Sequence, residues 1–146
     1  MTNAVILKNA VKELFKADKV ALGMIARIAR SGDIARIAKT TGHDFVFVDG
    51  QHALYSAETT GHIAQAALGC GVVPMARVRS CDDPDTQVLL DNGVMGIVFP
   101  DINNADEARR AVNRTTSRTS ASSRSRGPVS SSSSDSTASA ICDSIP

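Results

Sequence analysis

Four short apolar runs recur at intervals of about 25 residues, each followed by a segment of helical periodicity, and this alternation confines the chain to α/β folds. The runs are 21–28, 45–48, 72–78 and 96–99. The first reads as a strand, with a helix as the alternative. Strands that alternate with helices pair in parallel through right-handed crossovers. Two architectures satisfy that pattern: an open doubly wound sheet, or part of a (β/α)8 barrel. A complete barrel takes roughly 250 residues, so 146 residues leave room for about half of one. The chain reads Arg27-Ile28-Ala29-Arg30-Ser31-Gly32 after the first run. No glycine-rich phosphate loop stands there, which counts against a dinucleotide-binding sheet.

The punctuation supports these units. An amphipathic helix over 3–18 precedes them, with Val5, Leu7, Val11, Leu14 and Phe15 on one side. Ser31 is placed to cap the next helix and Gly42 to stop it. A helix over about 58–69 ends at Gly69 and Gly71, and Asp83-Pro84 opens another that closes at Asn92-Gly93. The last, about 104–113, starts at Asn104.

Composition changes sharply at Thr115. Residues 1–114 hold every aromatic and nearly all the branched aliphatics, whereas 115–146 are rich in Ser, Thr and Arg, with an unbroken serine run from Ser130 to Ser134. Such a tail has too little apolar surface to offset the entropy of ordering it, so it is expected to be unstructured. Charge is balanced in the body, at 13 basic against 13 acidic residues, which excludes a nucleic-acid or membrane footprint. The arginines of Ser123-Arg124-Ser125-Arg126 are too few for strong phosphate binding. Three cysteines without metal-ligand spacing suit a reducing compartment. With no secretory core and no membrane-length apolar run, a cytoplasmic protein is expected.

Phe45-Val46-Phe47-Val48 runs straight into Asp49-Gly50-Gln51-His52. In α/β proteins the carboxyl ends of parallel strands are where ligands bind, so this is a candidate active-site edge. His52 suits proton transfer, because imidazole titrates near neutrality; the bland reading is an exposed loop histidine. Arg77 lies inside the apolar run 72–78, where a guanidinium is costly unless paired. Its planar fork suits a carboxylate and a keto oxygen; alternatively it pairs with a nearby aspartate. Asp49 and Asp91 are candidate partners that would set the His52 tautomer, with turn chemistry beside Asn92-Gly93 the plainer reading of Asp91. Asp101, after the fourth run, is placed to line the same mouth. Arg79 reads as a surface charge.

Several pieces together resemble the HpcH/HpaI aldolase / citrate lyase family, in the family's order. They are Leu22-Gly23, Asp44-Phe45 leading to Asp49-Gly50-Gln51-His52, Pro74-Met75-Ala76-Arg77, Leu89-Leu90-Asp91-Asn92-Gly93, Phe99-Pro100 and Asn104-Ala105-Asp106-Glu107-Ala108-Arg109. The resemblance covers roughly residues 9–113 and implies the N-terminal half of a modified TIM barrel. It implies a divalent-metal-dependent lyase that cleaves 4-hydroxy-2-oxo acids to pyruvate and an aldehyde, and a homo-oligomer. It gives His52 the acid/base role and Arg77 the substrate role, and it associates Asp91 with the histidine across a subunit boundary. Gln51, beside His52, joins Arg77 as a substrate-binding candidate.

Two departures bear on activity. Gln51 stands where the family has Glu. The family's Glu and Asp ligands for Mg2+ or Mn2+ come from the second half of the barrel, and no residue here matches them. Residues 1–114 are therefore expected to be half a barrel, and 115–146 to be an unstructured or out-of-frame tail. The isolated chain is expected to be inactive. The alternative is a non-enzymatic product that binds a partner through open barrel edges, or one without function.

Overall fold

Period-two alternation along each strand decides between the two architectures. The computed structural model describes residues 8–122 and 139–142. Helix α1 (Ala10–Lys16) leads into β1 (Gly23–Ala26), α2 (Asp33–Thr40), β2 (Phe45–Asp49), α3 (Ala57–Cys70), β3 (Val73–Arg77), α4 (Asp85–Asp91), β4 (Gly96–Phe99) and α5 (Ala105–Ser122). A further strand, β5 (Ser139–Cys142), completes the described chain. All neighbouring strands are parallel, in the sequential order β1-β2-β3-β4-β5.

Side chains at alternate positions go to opposite faces. Ala26, Val46 and Val48 pack with Ala35 and Ala38 of α2 and with Ile63 and Ala67 of α3. Ala76, Ile97 and Phe99 pack on the same side with Ala64 of α3, Leu89 of α4 and Ala111 of α5. Helices α2 to α5 thus cover one face of a sequentially wound sheet, whereas a doubly wound sheet carries helices on both. The fold is a partial TIM barrel of four parallel strands alternating with helices, as the resemblance implies, and not the doubly wound sheet that the pattern alone left open.

The opposite face is the barrel interior. There Val73, Met75 and Val98 cluster with Val11 of α1, with Phe45 and Phe47 against them. Helix α1 lies across the N-terminal end of the strands, tied by Asn9 Nδ2 donating to the Met95 carbonyl at 3.2 Å. Large and small side chains alternate within this layer. A Cβ on Gly23 would stand 2.1 Å from the Phe45 ring, so the phenylalanine fills the space that the glycine leaves. The β1 end of this face is open, and Ile25 is 64% exposed.

Several boundaries move from their sequence-based positions. The expected strand over 21–28 shortens to Gly23–Ala26. Gly32 rather than Ser31 caps α2, although Ser31 Oγ still accepts the Asp33 amide at 3.4 Å. Asn104 caps the last helix as expected, accepting the amides of Asp106 and Glu107 at 3.1 and 2.9 Å. That helix does not stop near 113. Thr115 and Thr116 return their hydroxyls to the Val112 carbonyl, and α5 continues to Ser122. Within the segment expected to be unstructured, residues 139–142 pair with β4. Residues 123–138 and 143–146 lie outside the described residues, as does the start of the expected helix over 3–18.

Candidate active site

Three adjacent strands end in charge on the interior face. Asp49 closes β2 and pairs in register with Arg77, the last residue of β3. Arg27 follows Ala26, the partner of Val48, which places it at the same level beyond β1. All three stand at the carboxyl edge, where loops rather than helices cover the sheet.

Asp49 is the hub. Its side chain is 2% exposed, and a buried carboxylate is costly unless it is paired and hydrogen-bonded. Arg77 forks onto it, Nε to Oδ1 at 3.1 Å and Nη2 to Oδ2 at 2.9 Å. The amides of Gln51 and His52 donate to Oδ1 at 3.2 and 3.1 Å. Arg27 Nε stands 3.3 Å from Oδ2. Burial pushes the Asp49 carboxyl up, but the Arg77 fork and the His52 amide outweigh it and hold the group below the usual carboxylate range.

Gly50 lets the turn close on β3. Its amide donates to the Arg77 carbonyl at 2.9 Å, and a Cβ there would stand only 2.6 Å from that oxygen. His52 is held by its backbone at both ends: its amide on Asp49, and its carbonyl accepting Arg27 Nη2 at 3.0 Å. The imidazole itself is exposed and has no partner among the described residues. Gln51 reaches β4's end, where Nε2 donates to Asp101 Oδ2 at 2.8 Å. Asp101 holds a left-handed φ of 56°, a conformation that non-glycine residues keep only where the surroundings enforce it. Beneath the clamp, the Arg77 guanidinium lies 5.9 Å from the centroid of the Phe47 ring.

Asp49, Gln51, His52, Arg77 and Asp101 therefore gather at one edge. Asp49 was expected to orient the His52 imidazole, and here the structure corrects the sequence: the carboxylate takes the histidine's amide, because two guanidinium groups claim its remaining positions. Arg77 does pair with a nearby aspartate, while its Nη1 has no partner among the described residues. Asp91 is not brought in. It ends α4, which returns to the N-terminal edge, where the Met95 amide meets the Pro74 carbonyl at the start of β3. Within one chain Asp91 and His52 occupy opposite ends of the sheet.

Arg27 was not singled out in the sequence, although a basic residue inside the apolar run 21–28 is a detectable signal. The tie between the loops after β1 and β2 was also missed. There Arg30 Nη1 donates to the Leu54 carbonyl at 2.7 Å and the Tyr55 hydroxyl to the Ala29 carbonyl at 2.6 Å. Arg79, expected as a surface charge, forks onto the buried Asp83 with Nε at 3.0 Å from Oδ2 and Nη2 at 3.0 Å from Oδ1.

The donor set does not fit a divalent ion. Among the described residues no three His, Cys, Asp or Glu side chains group closely enough to hold a metal. Asp49 is committed to arginines and amides, and Asp101 to Gln51. No described helix is long and apolar enough to cross a membrane.

The family model described as HpcH/HpaI aldolase/citrate lyase matches residues 28–138. The chain belongs to this family. Among curated relatives of this HpcH/HpaI chain, a 4-hydroxy-4-methyl-2-oxoglutarate aldolase of Hapsidospora irregularis is 38% identical over 93 residues, covering 63% of this chain and 34% of that protein. A 4-hydroxy-2-oxo-heptane-1,7-dioate aldolase of Salmonella dublin is 33% identical over 106 residues, covering 73% and 40%. The solved HpcH/HpaI aldolase of Desulfitobacterium hafniense superposes with a TM-score of 0.67 at 30% identity, over 70% of this chain and 40% of that one. The chain thus spans about two fifths or less of the length of the relatives it matches.

Proposed function

We propose that residues 1–114 carry the keto-acid clamp and the proton-transfer group of a carbon–carbon lyase acting on 4-hydroxy-2-oxo acids, and that 115–146 take no part in the chemistry. One observation carries this reading: Arg77 and His52, from different strands, meet at one interior edge around a buried, ionised Asp49. Arg77 keeps Nη1 for the carboxylate and keto oxygen of pyruvate, and its charge favours the enolate that develops as the bond breaks. His52, exposed at the mouth, moves the proton between the 4-hydroxyl and solvent. Asp49 holds both in place and exchanges no proton itself.

A divalent cation, Mg2+ or Mn2+, would supply Lewis-acid chemistry in such a lyase. The described residues build no cage for it, so the isolated chain binds keto acid without sustained turnover. Pyruvate binding, followed by NMR titration, is expected to weaken at least tenfold in Arg77→Met, the loss of roughly one charged hydrogen-bonded pair. Steady pyruvate release from a 4-hydroxy-2-oxo acid is expected to be absent. Unchanged binding in Arg77→Met sinks the clamp, and sustained release abolished by His52→Ala sinks the inactive assignment.

A second, non-enzymatic reading rests on β1, which pairs on one side only among the described residues and leaves Ile25 exposed. On that reading a second copy covers the edge. Sedimentation tests it: a discrete dimer or hexamer supports it, and a monomer removes it.

A further inference from the structure

We infer that Arg27 is a positioning residue for His52, a role that rests on the proton-transfer reading above.

The geometry is a splint across two strands. Arg27 leaves β1 and makes two contacts with one turn of β2: Nε lies 3.3 Å from Asp49 Oδ2, and Nη2 donates to the His52 carbonyl at 3.0 Å. These contacts bracket the turn 49–52. The first is at its buried start, the second at the carbonyl of the residue that carries the imidazole. The His52 amide is already fixed on Asp49, so Arg27 supplies the second backbone anchor that sets where the ring projects. An imidazole with no side-chain partner has nothing else to aim it.

Arg27 contributes little to the fold. Its side chain is 56% exposed, and an exposed ion pair adds a small or negligible amount to stability. Asp49 keeps the Arg77 fork and two amides without it. The contact to the His52 carbonyl is thus better placed to orient a reacting group than to hold a core.

The test uses the full chain with Arg27→Met and Arg27→Lys, read by NMR. In Arg27→Met, backbone exchange at Gln51 and His52 is expected to rise roughly two- to fivefold, as for the loss of one exposed pair, with β3 amides unchanged. The His52 imidazole resonance is expected to move, while those of His43 and His62 stay. On adding pyruvate, the response of the His52 ring is expected to fall at least threefold, with pyruvate affinity within twofold of the parent. A structural role alone leaves that ring response intact. Arg27→Lys keeps the charge but not the paired contacts, and is expected to lie between the parent and Arg27→Met. It carries the same readout if the methionine variant does not fold. Unchanged exchange at 51 and 52 with an unmoved His52 resonance overturns the assignment. A parent that binds no pyruvate removes the lyase reading instead, and the exchange and resonance data still decide whether Arg27 holds the turn.

Discussion

Two buried aspartates at the same edge of the sheet are built alike and differ in what surrounds them. Asp49 and Asp83 each accept an arginine fork and two backbone amides: Gln51 and His52 for the first, Arg79 and Asp85 for the second, the latter pair at 2.8 and 3.0 Å. Asp49 has a second arginine beside it, so its cluster carries one net positive charge. Asp83 has a second acid, because Arg79 also pairs with Asp85, so that cluster is one net negative charge. Asp49 belongs to the interior face and joins three strands. The Asp83 cluster stays within residues 79–85 and locks the loop between β3 and α4, with Thr86 Oγ1 donating to the Asp83 carbonyl at 2.8 Å. The same local device therefore ties the strand ends of the interior face in one place and a loop in the other. Charge balance and span distinguish them, not the aspartate itself.

The largest expected effect comes from the hub. Asp49→Ala leaves Arg77 without its counter-ion on the interior face and is expected to lower stability by about 3–5 kcal/mol, measured by urea denaturation, and to abolish keto-acid binding. Asp83→Ala is expected to cost about 2 kcal/mol, less because Arg79 is largely solvated, and to leave binding within twofold. Binding lost in Asp83→Ala and retained in Asp49→Ala would reverse the assignment of the two clusters. Acid comes next. Burial pushes Asp83 up, but the Arg79 fork and the surrounding amides bring it down to about 2, and Asp49 is likewise held low. A carboxyl depressed in the folded state contributes stability that is fully present above its unfolded value of about 4 and lost as pH falls through the folded value. The denaturation midpoint should therefore fall between about pH 4 and pH 2, and Asp83→Asn should flatten that limb. The smallest effect is Gln51→Glu, which sets two carboxylates opposite each other at Asp101. A loss under about 1 kcal/mol is expected, and a gain would show that the Gln51 amide is not the donor.

What was legible in the sequence followed from local pattern. Apolar runs marked the strands, and the position of His52 just past the second run pointed to the edge, whereas Arg77 stood out only as a charge inside the third. What escaped was long-range pairing. Asp83 was read only as the opening of a helix, and Arg79 as solvated, because the chain does not advertise which carboxylate is buried. Arg27 meets its partners 22 and 25 positions away. Asp49 was visible as a candidate, but its orientation toward the backbone was not, since that depends on how many cations converge on it. The extension of α5 to Ser122 was hidden by serine and threonine, whose weak helix propensity reads in the sequence as a stop.

The contact of Gly50 with the Arg77 carbonyl has a mechanical consequence. The turn bearing the imidazole is geared to the same residue whose guanidinium grips Asp49, through a gap that admits no side chain. A slip of β2 against β3 would carry both groups out of alignment together, so the edge works in one register or not at all.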